Sequence, residues 1–551
     1  MPAANARISY DKPPAPYRDY IDIKDREKLL LRILDRLDER MSNTNTDQQQ
    51  KSDVYYYNFI ESWFQKKNED KQYELFAEQF DGVDMGLFPP KLHVAWSSLG
   101  GGTSIDEETN KSSTESLIVL DSEDEVPNNT KMQQNECSNN DTGERVTKYN
   151  EKSTKSNNDR ILKGNMDEFL SWAFFGVPFS TVQSLPDMQH ALDNFYNILA
   201  TRTGLTFEDG SNPYYKPRSF TFEKVKSLYR PYGVYAGVAL MRITANIILY
   251  VMGFRHHTCH RGLRYWHRPA KQHEGSPFLF FHGIAPGGHA PYLPMLFLGV
   301  LKDELSHRHR DIFLFENKPI SYALCFDSLS EDDTVHGVLE SIDRHLGTSS
   351  NGKNLTLFGH SFGSCQLTWM IKSPEIKNRI GSVYLCDPVS ILLSEPDVVV
   401  NFLYTRRDIK DSYDGNPKSW MGKLIRFVNE TKIHLVASSE MFIETYLRRS
   451  FAWYNAELWL QDIPRDVKVV VALAECDEIV NTPKIERELH SHTSKRSKED
   501  GSTGASVEQI IWKDVGHAHC ITNPERWSDI HDIMKRVESQ VQEEKLRQKS
   551  K

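Results

Sequence analysis

The chain has 551 residues, a length that corresponds to three or four domains of about 150 residues each. Hydrophobic residues make up only 39% of it, below the roughly 45–50% of an ordinary globular domain, so part of the chain must be polar sequence outside any core. A net charge of -9 argues against nucleic-acid binding, which relies on a basic surface. Seven scattered cysteines without a CxxC pair, and a polar start without an apolar leader, predict an intracellular protein that is cytoplasmic or membrane-associated rather than secreted.

Residues 1–100 are predicted to form a helical region. Leu30, Ile33, Leu34 and Leu37 recur at helical spacing with charged residues between them. Aromatic-rich sequence follows and includes Trp63 and Phe64, which could belong to the same helical region as the block at 166–175.

Residues 101–165 have the composition of a disordered acidic insertion. Ser, Thr, Asn, Asp, Glu and Lys predominate, with thirteen acidic residues and eight basic ones. Such sequence cannot bury enough apolar surface to offset the entropy lost on ordering. The short segment Leu117–Glu125, four apolar residues followed by an acidic run, resembles a SUMO-interacting motif, which adds a strand to a partner's sheet edge. A chance apolar tetrapeptide is the alternative interpretation.

Residues 166–260 are predicted to form a second helical region, which could associate with a membrane. Its most apolar part is the 23-residue segment Tyr232–Phe254, long enough to span a bilayer, although Arg242 and Asn246 near its centre make spanning costly. Basic flanks on both sides suit a helix that lies at a membrane surface, and a buried or cap-packed helix would explain the apolar run equally well.

A cluster of possible metal ligands follows that segment directly. It consists of His256, His257, Cys259 and His260. Because no second ligand cluster is apparent in the sequence, we interpret it as a solvated basic patch and predict no metal site.

Residues 261–540 alternate between apolar, strand-like runs and helix-length stretches, which predicts an α/β fold with a mostly parallel sheet covered on both faces. The six predicted strands are Pro277–His282, Ile312–Phe315, Leu355–Phe358, Val383–Cys386, Val467–Leu473 and Gln509–Trp512. Gly359-His360-Ser361-Phe362-Gly363 follows the third of them and precedes a predicted helix. A serine in a G-x-S-x-G turn between a strand and a helix is typical of a catalytic nucleophile.

This combination resembles the α/β-hydrolase superfamily, and the resemblance implies a catalytic triad. Ser361 would be the nucleophile, Asp477 in Asp477-Glu-Ile-Val480 the acid, and His517 in Gly516-His517 the base, in the family's chain order. Asp387 is an alternative acid, since some members carry the carboxylate after that earlier strand.

The resemblance also implies an oxyanion hole and a lid. His282-Gly283-Ile284 resembles the family's oxyanion loop, so the N–H groups of Ile284 and Phe362 would bind the developing oxyanion. Residues 388–464 lie where family members insert a lid, and their large apolar side chains suit a hydrophobic ester or lipid substrate. We therefore expect a cofactor-free serine hydrolase that cleaves carboxylic esters through an acyl-enzyme on Ser361. A thioesterase or acyltransferase, or an inactive hydrolase fold retained as an interaction protein, are the alternatives.

Overall fold

The computed structural model of the protein describes residues 23–42, 52–66, 160–227, 230–272, 274–347, 355–404, 437–500 and 507–549. The segment Leu117–Glu125 and residues 405–436 of the predicted lid lie outside the described residues. The chain divides into two compact units, and the second contains residues 65–159 and 213–216. The first unit contains the other described residues.

Most of the strands form one eight-stranded sheet. In chain order the strands are β1 Phe64–Lys66, β2 Tyr215–Pro217, β3 Arg255–Thr258, β4 Arg264–Arg268, β5 Phe278–Phe281, β6 Ile312–Glu316, β7 Leu355–His360, β8 Ile380–Cys386, β9 Lys468–Ala474 and β10 Val507–Trp512. β1 and β2 form a small separate sheet, and the other eight lie in the order β3-β4-β6-β5-β7-β8-β9-β10. β5 to β10 pair in parallel, whereas β4 pairs antiparallel with both β3 and β6. The predicted mostly parallel sheet is therefore confirmed.

Two strands of this sheet, β3 and β4, were not predicted from the sequence. Their sequences, RHHT and RYWHR, contain no apolar run, so periodicity does not mark them as strands. His256 and His257 lie on the edge strand β3, and Cys259 is buried, with its thiol donating to the carbonyl of Gly337 at 3.0 Å. The predicted solvated basic patch is therefore wrong at Cys259 because the chain turns back into the sheet.

Helices precede and separate the strands. Before β3 they are α1 Ile23–Ser42, α2 Ser52–Glu61, α3 Lys163–Leu170, α4 Phe179–Ser184, α5 Pro186–Thr203 and α6 Tyr232–Val251. After β6 they are α7 Glu331–Leu346, α8 Gly363–Lys372, α9 Pro374–Lys377, α10 Pro396–Val399, α11 Met441–Arg449, α12 Trp453–Ala456, α13 Thr482–Asp500, α14 His519–Thr522 and α15 Pro524–Lys549. α3 begins at Lys163, before the predicted boundary at residue 165.

Both faces of the sheet are covered because the central strands are apolar on both faces. All four residues of β5 are buried. On one face, Ile530 and Met534 of α15 belong to the same core cluster as Phe280 and Tyr384. On the other face α8 contacts β5 and β7. This two-sided cover holds the carboxyl ends of the parallel strands at one edge, where the candidate site lies.

The N-terminal helices pack onto the same unit. The Trp63 ring lies 6.0 Å from Phe169 and 5.7 Å from Trp172, so the two aromatic blocks pack against each other, although Phe64 begins the strand β1 and is not helical. Helix α1 buries its periodic leucines and extends Arg36 to the carboxylate of Glu457, at 2.7 Å. Helices α1 and α2 therefore belong to the same compact unit as the eight-stranded sheet.

Helix α6 corresponds to the predicted apolar segment. Among the helices that the structure describes, it is the one that is long and apolar enough to cross a membrane by length and composition. Val238, Ala245 and Leu249 are its buried residues. A helix buried in the core therefore does not fit this segment, whereas a helix packed on the protein through one side does.

Candidate active site

Ser361 lies in a tight turn between β7 and α8. Its φ is +50°, a left-handed conformation that a non-glycine residue adopts only when the surroundings hold it there. The Ser361 N–H donates to the Cys386 carbonyl at 2.9 Å, and this bond anchors the turn to β8. A Cβ on Gly363 would lie 2.1 Å from the carbonyl oxygen of Phe281, so only glycine lets the helix approach the sheet this closely.

A continuous hydrogen-bonded chain joins Ser361 to His517 and Asp477. Ser361 Oγ lies 2.8 Å from His517 Nε2, and His517 Nδ1 lies 2.7 Å from Asp477 Oδ2. The other oxygen of Asp477 accepts from the N–H groups of Ile479 and Val480 at 2.7 and 2.9 Å. The structure thus brings together the three residues that the sequence suggested, and the turn after β9 fixes the carboxylate.

Glu478 also positions the histidine, although the sequence reasoning did not select it. The backbone N–H of His517 donates to Glu478 Oε2 at 2.7 Å. A Cβ on Gly516 would lie 2.7 Å from the Glu478 carboxylate oxygens, so the glycine before the histidine makes room for this carboxylate. The adjacent acids Asp477-Glu478 were the available signal, but only the fold shows that they contact different parts of the same residue.

The surroundings of His517 favour its protonated form. Burial alone would lower the pKa of the imidazole, but the carboxylate of Asp477 outweighs burial and raises it to about 9. An imidazolium formed during a reaction at Ser361 would therefore be stabilised where it forms.

Asp387, the alternative acid, has a different set of partners. Its carboxylate accepts from the N–H of Ala474 at 2.8 Å and from the N–H of Ala518 at 3.1 Å, and it lies 3.8 Å from His360 Nε2. Burial alone would raise its pKa, but His360, His517 and the N–H of Ala474 hold the pKa below its usual range. The His517 ring donates its Nδ1–H to Asp477, whereas Asp387 holds the backbone around the site.

The predicted oxyanion loop is held by a second buried network. The Gly283 N–H donates to Tyr292 Oη at 3.0 Å, and Tyr292 Oη lies 2.9 Å from His360 Nδ1. Tyr292 Oη therefore connects the backbone of the loop to the His360 ring. His282 Nδ1 donates to the Gly283 carbonyl at 2.7 Å, and burial lowers the pKa of His282 to about 4, so this imidazole stays neutral. Tyr292 was not singled out from the sequence, because nothing local marks it.

The positions of these residues on the sheet decide the fold class. The nucleophile turn follows β7, Asp477 follows β9 and His517 follows β10, in a sheet whose second strand is antiparallel to its neighbours. The chain has the α/β-hydrolase fold.

The chain is similar to solved structures but not to any family model or curated protein sequence. Similar solved structures include a carboxylesterase from Bacillus subtilis, with 14% identity over 54% of this chain and 96% of that one and a TM-score of 0.33. A lipase in an open form has 14% identity over 52% and 97% of the two chains, with a TM-score of 0.34. An esterase from Pyrococcus furiosus has 13% identity over 52% and 93%, with a TM-score of 0.33.

An apolar pocket opens next to Ser361. Ile284 and Phe362, the two predicted oxyanion-hole residues, line it together with the serine. Apart from Ser361 and Cys365, every side chain in its lining is apolar, including Phe220, Val389, Leu393, Val399, Phe402 and Leu447. Several of these belong to the described parts of the predicted lid, residues 388–404 and 437–464. Burial raises the pKa of the Cys365 thiol far above its usual value, so Cys365 is no second nucleophile.

Among the residues that the structure describes, three histidines form one of the groups that could hold a metal ion. One nitrogen from each of His257, His267 and His345 lies within 4.8 Å of the others. The rings of His267 and His345 lie against each other with centroids 3.9 Å apart, and His267 Nε2 is bonded to Asp311 at 2.9 Å. His345 Nε2 lies 3.0 Å from Tyr265 Oη, so one nitrogen of each of these two rings is already engaged in a hydrogen bond.

Proposed function

We propose that the protein is a serine hydrolase that cleaves carboxylic esters of hydrophobic acyl groups. The observation that carries the proposal is the unbroken chain from Ser361 Oγ through His517 to Asp477, at 2.8 and 2.7 Å. Hydrogen bonds of this length between nucleophile, base and orienting carboxylate are the arrangement that nucleophilic catalysis requires.

The reaction would take place in two half-reactions. His517 Nε2 takes the proton of Ser361 as its Oγ attacks the ester carbonyl, and the N–H groups of Ile284 and Phe362 bind the oxyanion. His517 then gives this proton to the departing alkoxide, which leaves as the alcohol while the acyl group stays on Ser361. In the second half-reaction a water molecule attacks the acyl carbonyl, again with His517 as base. The carboxylic acid and free Ser361 are the products.

The lining of the pocket supports a hydrophobic acyl group. Its aliphatic and aromatic side chains provide no partner for a charged or polar acyl chain, whose burial there would be costly. The same acyl-enzyme would serve a thioesterase or an acyltransferase, which differ only in the leaving group or in the acceptor. An inactive interaction protein would have no need of the intact hydrogen-bonded chain.

A fluorophosphonate probe tests the nucleophile directly. We expect the wild-type protein to be labelled and Ser361→Ala not to be. Ser373→Ala is the matched control, because Ser373 follows the same helix and bonds to Glu375 outside the site. Absence of wild-type labelling, under conditions in which a known serine hydrolase is labelled, would overturn the proposal, and so would labelling that survives Ser361→Ala.

A panel of p-nitrophenyl esters of increasing chain length tests the acyl preference. We expect kcat/KM to rise from acetate towards longer acyl chains. Each added methylene buries apolar surface in the pocket, which stabilises the bound ester by about 0.8 kcal/mol. A preference for acetate would contradict the hydrophobic assignment while leaving the serine mechanism intact.

A further inference from the structure

Helix α6 presents an uncharged apolar face to the outside of the protein. Thirteen of its residues are exposed, and none of them carries a charge. The large aliphatic side chains among them include Leu240, Ile243, Ile247 and Val251, which are 65%, 55%, 59% and 78% exposed. Surface helices normally have the opposite arrangement, with the polar face outward. An exposed apolar face of this extent indicates a partner.

The polar groups of α6 are kept away from this outward face. Arg242 and Asn246, the two polar residues that would make it costly for this segment to span a bilayer, are half-buried on the inner side of the helix. The Arg242 stem packs on the loop at Gly287, where a Cβ would lie 3.4 Å from Arg242 Cγ. Thr244 is the exposed residue between the two terminal tyrosines of α6 that has a hydroxyl, and this hydroxyl donates to the carbonyl of Leu240 at 3.0 Å. The outward face therefore offers neither a charge nor an unsatisfied hydroxyl in its central part.

This chemistry fits a lipid surface better than a protein surface. Protein interfaces carry about one hydrogen bond per 100–200 Å² of buried area, and the central part of this face has no side chain available to form one. Exposed tyrosines, Tyr232 and Tyr250, stand at its two ends, and tyrosine prefers the boundary between lipid and water. The exposed Arg255 and Arg264 follow the helix, and Arg255 lies over the Tyr250 ring at 4.4 Å, a cationic edge suited to anionic headgroups.

The packing of α6 also determines how it would meet a membrane. Val238, Ala245 and Leu249 are buried against the hydrolase body at intervals along the helix, and Leu249 is 0% exposed. A helix that crosses the bilayer would have to be removed from this contact. A helix that lies in the interface keeps its inner face packed and immerses only its outer face.

We propose that α6 binds the protein to a lipid surface, with the helix axis parallel to that surface and its outward apolar face immersed.

The inner side of α6 reaches the candidate active site. Tyr235 Oη donates to Glu440 Oε1 at 2.7 Å, and Glu440 caps α11 by accepting from the N–H groups of Phe442 and Ile443. Helix α11 contributes Leu447 to the pocket. A lipid-bound α6 therefore holds the pocket wall close to the surface. We therefore infer that the substrates are esters dissolved in the lipid phase. This inference about the substrate rests on the proposed function.

Vesicle co-sedimentation of the full-length protein tests the binding. The probes are vesicles of phosphatidylcholine alone and vesicles that also contain about 30% phosphatidylglycerol, since anionic lipid should strengthen binding through the basic edge. The test variant is the double substitution Leu240→Glu with Ile247→Glu. The matched control is Val54→Glu with Leu185→Glu, at positions 49% and 43% exposed outside α6. Because all four positions are exposed, thermal melting should show that both double variants fold as the wild type does.

We expect the partition coefficient to fall at least about tenfold in the α6 variant and to stay unchanged in the control, because charged groups enter the apolar region of a bilayer only at high cost. Hydrolysis of a soluble short-chain ester should be the same in all three proteins, whereas hydrolysis of a long-chain ester in vesicles should fall with binding. If no protein hydrolyses the soluble ester, the proposed function fails while the sedimentation result still decides the membrane inference.

Three results would overturn the membrane inference. One is a wild-type protein that sediments with neither kind of vesicle. Another is an α6 variant that binds as well as the wild type. The third is a wild-type protein that does not bind vesicles and is a dimer by light scattering, together with an α6 variant that is a monomer. The apolar face of α6 would then bind a second copy of the chain.

Discussion

The carboxylate of Asp387 accepts a hydrogen bond from the backbone N–H of Ala518, at 3.1 Å. Ala518 directly follows His517 and has a φ of +64°, so this bond holds a strained position beside the histidine. Asp387 also binds the N–H of Ala474, at the end of the strand that precedes Asp477. Asp387 is thus a positioning residue that connects the loops of the acid and the base.

Asp477→Asn and Asp387→Asn should therefore have different effects. Asp477→Asn removes the charge that orients and stabilises the His517 imidazolium, so kcat should fall by about 10³–10⁴-fold with the fold intact. Asp387→Asn places an amide where the carboxylate accepts two N–H bonds, so we expect about 1–3 kcal/mol lower stability and a smaller loss of activity. Steady-state kinetics and urea unfolding measure both effects.

Asp343→Asn is the control for these two substitutions, because Asp343 pairs with Arg379 away from the site. It should leave kcat/KM unchanged. If Asp387→Asn lowered kcat more than Asp477→Asn, the two carboxylates would have the reverse roles.

The pH dependence of activity should follow the ionisation of His517. The base must be neutral to take the serine proton, and Asp477 raises the pKa of His517 to about 9 after opposing the effect of burial. The rate should therefore rise with pH and level off only above that pKa. Measuring kcat/KM of a p-nitrophenyl ester from about pH 6 to about pH 10 gives the midpoint.

Asp477→Asn should move this midpoint to lower pH, because burial still lowers the pKa of His517 and the largest of the charges that raise it is gone. A wild-type midpoint near the ordinary histidine value of about 6.5 would show that Asp477 does not perturb the base as the structure indicates.

Tyr292→Phe should weaken the oxyanion loop without removing a reacting group. The substitution leaves the buried N–H of Gly283 and the His360 Nδ1 without their partner, at a cost of about 1–3 kcal/mol. We expect kcat to fall while KM changes little, because the loop acts mainly on the transition state. An unchanged kcat with lower stability would restrict Tyr292 to a structural role.

Arg36→Ala should destabilise the protein strongly. Arg36 belongs to the N-terminal helix α1, and it pairs at 2.7 Å with Glu457, whose side chain is 0% exposed. Removing the arginine leaves a buried carboxylate without its cation, which typically costs about 3–5 kcal/mol. Lys28→Ala on the same helix is the control, since Lys28 is 71% exposed and its removal should change stability little. Equal urea midpoints for the two variants would show that the Arg36–Glu457 pair of α1 does not stabilise the fold.

Gly363→Ala and Gly237→Ala should differ although both glycines are helical. A Cβ at Gly363 would collide with the Phe281 carbonyl oxygen at 2.1 Å, whereas a Cβ at Gly237 would meet nothing within 4 Å. The first substitution should abolish activity and lower stability. The second should be neutral or raise the free energy of unfolding by up to about 1 kcal/mol, because alanine favours a helix. Thermal melting of the two variants makes the comparison.

The sequence by itself determined those features that depend on neighbouring residues. Continuous apolar runs are sufficient to place β5 to β10, and the glycines around Ser361 mark the turn because only they fit between strand and helix. Ser361 follows such a run in a G-x-S-x-G turn, whereas Asp477 and His517 were assigned through their resemblance to motifs of the α/β-hydrolase superfamily.

The tertiary structure decided what depends on residues far apart in the chain. Asp387 and Asp477 both follow apolar strands, and only the folded sheet shows which carboxylate reaches the His517 ring. Arg242 interrupts an apolar run in the sequence, yet the packing of α6 turns it inward and leaves an uncharged outer face. Arg36 and Glu457 are separated by 421 positions, and their pairing connects the N-terminal helix α1 to the part of the protein that contains the candidate active site. Local periodicity reports which residues share a face of a helix or strand, but the element against which that face packs is set by long-range contacts.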